Sequence, residues 1–300
     1  MLFLRKSLKR IKENVFILSY LIPTLLIYVV FCVYPYLKAF YMSLFKWSGF
    51  SKNMKFIGFD NYLHLMKDPI ILKALLNNLF ILFWCTLLTF SISLFFAVIL
   101  CRKRYKDKNL FQIVFFLPYV LSMAVVSILW MFIYNPSFGL INSFLEVIGL
   151  ESLSRIWLGD PKVIMGALTV PLVWMNVGFF MILFIASILN ISEDIFEASS
   201  IDGANEFHKF CFIIIPSIWE VIRVSLVFFI VTAFNYSFEL VYVITKGGPN
   251  RASELITTYL YENAFVKSDF GYASAIGVLL FVIVFVTTFL TLNLTKRKEE

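Results

Sequence analysis

Glu197 to Pro216, EASSIDGANEFHKFCFIIIP, sets carboxylates, an amide and a lysine among large apolar side chains, with Ile195 and Phe196 just before it, between two long apolar runs. Its one histidine, His208, has no paired cysteine, serine or carboxylate arrangement, so metal binding and acid–base catalysis are not the chemistry on offer. Fixed charges beside apolar anchors make a recognition surface. A loop lying on the membrane is the rival reading, but Glu197 and Asp202 face an anionic lipid surface unfavourably. A covering protein is expected. A second set, Trp174, Asn176, Asn235, Tyr236 and Glu239, is polar or amphipathic inside apolar runs, where such groups are expensive and face a bundle interior or a wet path. Amide or carboxylate hydrogen bonds with a ring against an apolar face suit a sugar. The alternatives are helix–helix hydrogen bonds for Asn176 or Asn235, packing for Trp174, and a gate or a contact with an outside protein for Glu239. No GxxxxGK[ST] phosphate loop occurs, so any ATP chemistry must belong to another chain.

These residues have to be positioned by helices. The 300 residues are 60% hydrophobic and 15% charged, with the apolar residues gathered into long runs, the pattern of an all-α polytopic membrane protein. Six spans are expected, at 15–40, 76–100, 111–134, 163–189, 213–240 and 272–294, each long enough to cross about 30 Å of hydrocarbon. The first follows a charged start but is too long for a cleaved signal and has no small-residue cleavage site, so it reads as a retained span. Residues 1–14 then form a basic cytoplasmic N-terminus, 15–294 the membrane domain and 295–300 a cytoplasmic tail.

The net charge of +7 comes from Lys and Arg clustered at the ends of apolar runs, which reads as membrane orientation rather than nucleic-acid binding. Arg5, Lys6, Lys9, Arg10 and Lys12, then Arg102, Lys103, Arg104, Lys106 and Lys108, then Lys296, Arg297 and Lys298 place both termini and the second connection in the cytoplasm. The segment 190–215 is then the longest inner connection. Asn190 or Ser192 caps a first short helix, Asp202-Gly203 ends it through a left-handed glycine, and Asn205 caps a second that runs to Pro216. Asn77 and Asn78 read as caps at the start of the second span. Cys32, Cys85, Cys101 and Cys211 form no metal or disulfide pattern.

The spacing Glu197-Ala198-Ser199, Asp202-Gly203-Ala204 and Ile213-Ile214-Ile215-Pro216 resembles the cytoplasmic signature of permease subunits of binding-protein-dependent ABC importers, in the maltose and glycerol-phosphate branch. Ser199 replaces the family's second alanine, and Ser192 stands where a proline often opens the loop. Further matches follow in family order: Phe56 to Tyr62, Leu117-Pro118, Asn135-Pro136 with Gly139, Phe238-Glu239-Leu240, and Gly247 to Asn250.

The resemblance implies a cytoplasmic coupling helix pair seated in a cleft of an ATPase subunit. Glu197 meets a basic group there, Gly203 makes the bend, Phe207 and Phe210 make apolar contacts, and Pro216 marks the junction with the fifth span. It also places sugar contacts in the fourth and fifth spans. The implied assembly is a second homologous permease, two ATP-binding subunits that hydrolyse ATP with Mg, and an extracytoplasmic solute-binding protein, in lipid at a bacterial cytoplasmic membrane. No cofactor is expected on this chain. A glycerol-phosphate substrate would favour Arg or Lys in the path, and the polar set has none, which favours a neutral saccharide. An ion-coupled secondary transporter would need a midplane ionisable residue or an inverted repeat with broken helices, and no Asp, Lys or Arg stands mid-span, Arg223 lying near an inner end. A membrane enzyme would need clustered His, Asp or Ser groups, which the sequence lacks.

Overall fold

A computed structural model describes residues 16, 18–50, 53–102 and 107–296, with the side chain of Arg102 undescribed. The basic N-terminus, Lys103, Arg104, Lys106, Arg297 and Lys298 therefore lie outside the described residues. In chain order the elements are α1 (Leu18–Met42), β1 (Phe45–Lys46), β2 (Lys55–Phe56), α2 (Asp60–Lys67), α3 (Pro69–Arg102), α4 (Lys108–Val120), α5 (Met123–Ile133), α6 (Leu140–Val147), α7 (Ile164–Leu189), α8 (Glu193–Ile201), α9 (Glu206–Lys209), α10 (Trp219–Ile244), α11 (Ile256–Tyr261) and α12 (Phe270–Leu294). Contacts divide the chain into two units, Met1–Lys67 with Leu260–Leu279, and Asp68–Tyr259 with Leu280–Glu300.

In the first unit α1 is mostly apolar, with Lys38 near its end, and none of its residues is buried, as lipid contact allows. A two-stranded hairpin follows, Phe45 pairing with Phe56. Buried Asn61 donates to the carbonyls of Ser43 and Phe45 at 2.8 and 3.1 Å. Gly271, at the start of α12, donates to Trp47 O at 3.2 Å, and a Cβ there would lie 2.0 Å from Phe45 O. The Phe56-to-Tyr62 motif thus has a structural task, holding the hairpin to α2.

In the second unit the core lies between α3, α7 and α10, where Phe90, Phe180, Phe184 and Phe229 pack ring against ring. Three small side chains spaced by eight on α3 reach α7 carbonyls spaced by eight: Cys85 to Thr169 at 3.9 Å, Ser93 to Val177 at 2.8 Å and Cys101 to Ile185 at 3.7 Å. Small donors let two helices approach in lipid, and the rising register shows that α3 and α7 run parallel.

Parallel neighbours require a return crossing, which α4 and α5 supply. Phe115 lies against Gly178, Trp130 against Trp174, and Tyr134 Oη donates to Ala167 O at 2.8 Å, so the pair runs back along α7. The expected continuous span 111–134 is corrected here: it is broken by a 102° bend. Pro118 removes one helical N–H, Leu121 is extended, and Ser122 starts α5 with its side chain accepting from Val125 N.

Two further boundaries differ. The second span begins at Pro69, so Asn77 and Asn78 sit two turns inside α3 and are not its caps. Asn77 donates to Ala252 O and Glu254 O at 3.0 and 2.9 Å, and Asn78 accepts from Ile256 N at 2.9 Å. The fifth span begins at Trp219, because Phe210–Ile214 is a π turn and Ile218 leaves helical geometry after the short turn Ile215–Ser217.

Candidate functional site: the helix pair between the fourth and fifth spans

Ser192 is the N-cap of α8 in backbone geometry, with Glu193 and Asp194 in the first turn, where carboxylates complement the helix dipole. At its far end Gly203 has φ +78°, Gly203 N donates to Ser200 O at 3.2 Å, and Ala204 N to Ser199 O at 2.9 Å. This is the paired-bond glycine stop, which satisfies carbonyls left over by the helix. Asn205 then caps α9, its Oδ1 accepting from His208 N at 2.8 Å. Two short helices joined by a fixed glycine bend result.

The pair presents charge and apolar surface together. Ile201 is 87%, Phe207 72% and Phe212 69% exposed. Glu197 is exposed and has no hydrogen bond or ion pair to a described residue. It lines an open cleft of about 300 Å³ with Glu193, Phe196, Ser200, Ile188 and Cys101. Ala198 is exposed and Ser199 half-buried, its hydroxyl donating to Phe196 O at 2.8 Å. The Asp202 carboxylate is also exposed and unpaired among the described residues, since backbone bonds alone hold the turn it closes. Ala204, Phe210 and Pro216 are half-buried.

Three residues here escape a sequence reading. Phe212 lies in an apolar run that looks like core, and Ile201 is a lone apolar residue in a polar stretch; both are exposed in the fold. Lys209 reads as a solvated last-turn charge, yet its side chain is 7% exposed and Nζ donates to Ser200 Oγ at 2.7 Å, with Glu206 Oε1 at 3.6 Å.

The polar residues of the fourth and fifth spans separate into two groups. Asn176 is buried and donates to Leu172 O one turn back at 2.8 Å. It shares a narrow cavity of about 10 Å³, about one water's worth, with Tyr236. Trp174, 38% exposed, packs edge-on against Trp130, while Asn235 and Glu239 are exposed on the stripe of α10 that also carries Val224, Phe228 and Val231. The five residues are not assembled into one pocket.

Six apolar crossings, one of them broken, and an outward helix pair between the fourth and fifth define a membrane transport subunit that works with a partner. The chain belongs to the family described as binding-protein-dependent transport system inner membrane component, whose pattern matches residues 90–300. It is an integral-membrane permease subunit of an ABC importer and not itself an enzyme. It is 37% identical over 94% of its length to the probable ABC transporter permease protein YurN of Bacillus subtilis, covering 96% of that protein. It is 32% identical over 88% of its length to the diacetylchitobiose uptake system permease protein NgcF of Streptomyces coelicolor, covering 78% of that one. Its fold matches a chain of a bacterial ABC transporter involved in the import of the acidic polysaccharide alginate, with TM-score 0.84 at 23% identity, covering 98% of this chain and all of the other.

Proposed function

We propose that this permease imports a saccharide by alternating access, paired with a second related permease and driven by two ATP-binding subunits that hydrolyse ATP with Mg, after a solute-binding protein delivers the substrate outside. The observation that carries the reading is the helix pair of residues 190–215. It offers Glu197, with no partner among the described residues, together with exposed Phe207 and Ile201, on an element too polar for lipid and too apolar for water. Glu197 meets a basic group of the ATPase, and Ala198, Ser199, Asp202, Gly203 and Ala204 form the seated surface. Phe207 and Phe210 supply apolar contact, and Pro216 is the junction through which closure reaches the fifth span. This surface lies in the cytoplasm with both termini, residues 1–14 and 295–300, at a bacterial cytoplasmic membrane.

The exposed stripe with Asn235 and Glu239, and Trp174 on the fourth span, face the second permease across the path; Asn176 and Tyr236 support the wall behind it. A saccharide is favoured because these groups are amide, carboxylate and aromatic with no Lys or Arg among them, and because a relative is named for uptake of a disaccharide. Tagged protein is expected to bring down its ATPase from membranes, with Glu197→Lys lowering the yield at least about tenfold, equivalent to about 1.4 kcal/mol. ATP-dependent uptake of a labelled saccharide panel is expected to survive an uncoupler. Saccharide uptake on a proton or sodium gradient by this chain alone in liposomes contradicts the reading.

A further inference from the structure

Lys209 sits where its charge is costly. Its side chain is 7% exposed at the end of α9, and the ammonium donates to Ser200 in the last turn of α8, at 2.7 Å. Glu206, one turn back and largely exposed, lies at 3.6 Å and supplies the opposite charge. Ser200 Oγ itself donates to Phe196 O at 2.8 Å, so its hydrogen is used and a lone pair faces Lys209. Burying an ammonium costs free energy unless it is paired and hydrogen-bonded. The chain accepts that cost where a side-chain bond crosses from α9 to α8.

The bond matters because of what lies on either side. The bend between the helices is also held by local bonds at Gly203, Ala204 and Asn205. Immediately after Lys209 the backbone passes into the π turn Phe210–Ile214 and the Ile218 break, before α10 begins. A force applied to α8 therefore reaches the fifth span only if α8 and α9 move together; otherwise the glycine bend absorbs it.

We propose that Lys209 is a positioning residue for transport, which locks α8 and α9 into one lever through Ser200 so that closure of the ATPase subunits moves the fifth span. The proposal rests on the reading of this segment as the ATPase dock and adds to it a residue that touches no partner. Lys209→Met keeps the stem and its packing and removes the donor; Ser200→Ala removes the acceptor from the other helix.

The test uses the complete importer in proteoliposomes with its binding protein, measuring ATPase yield on purification, stimulated ATP hydrolysis and saccharide taken up per ATP. Both variants are expected to retain the ATPase subunit at the unsubstituted yield while uptake per ATP falls at least about fivefold. The double variant is expected to fall no further than Lys209→Met alone, because the two substitutions remove one bond. Uptake per ATP within twofold of the unsubstituted complex, loss of the ATPase from either variant, or independent additive losses overturns the proposal. Failure of the docking reading shows up separately, as an unsubstituted chain that brings down no ATPase.

Discussion

At the level of single residues, the helix pair depends on one backbone conformation. Gly203 stands at φ +78° with open space where a Cβ would project, so a substitution there is opposed by the backbone and not by crowding. Gly203→Val is expected to cost about 1–2 kcal/mol or more locally. That is enough to populate an open hairpin while the membrane spans stay folded. The expected outcome is normal membrane insertion on a blot, with uptake and recovered ATPase both reduced at least about tenfold. Full uptake by this variant would show that the bend is not needed. Glu197 and Asp202 differ in kind from Gly203: both carboxylates are exposed with no partner among the described residues, so their substitution is expected to change association and leave the fold alone.

At the level of elements, packing between α4 and α7 is set by an absent side chain. A Cβ on Gly178 would lie 1.9 Å from Phe115 O, closer than any real contact, and backbone cannot yield as a side-chain tip does. Gly178→Ala therefore separates the two helices, and overpacking of this kind costs about 1–3 kcal/mol. A melt of the purified complex in detergent is expected to show a lower midpoint for this variant, whereas Gly166→Ala, which meets nothing within 4 Å, is expected to melt unchanged.

The number and order of spans were legible because a run of some 20 apolar residues has few other uses. The caps around Asp202-Gly203 and Asn205 were legible because glycine and asparagine act locally. The break at Leu121-Ser122 was not, since hydropathy is blind to a bend and Pro118 alone does not fix its angle. Nor were the loop-facing roles of Asn77 and Asn78, which depend on residues some 175 positions away. Lys209 stayed hidden for the same reason: burial is a property of the folded bend, and a lysine between His208 and Phe210 gives no local sign of it.

At the level of the whole molecule, energy must enter at one face and act at another. The apolar spans leave large lipid-facing surface, α1 most completely, while the parallel α3 and α7 and the returning α4–α5 pair make a rigid body around the Phe90, Phe180 and Phe229 rings. Between the fourth and fifth spans, α8–α9 combines carboxylates unpaired among the described residues with large exposed apolar groups, which gives a motor a place to push. The most direct measurement puts a photo-crosslinking amino acid in place of Phe207 in the complete importer in native membranes. A cross-link to the ATP-binding subunit, changed in yield by ATP and Mg, is the predicted result. A cross-link to lipid alone, or labelling of residue 207 by an impermeant reagent added outside intact cells, would contradict the account.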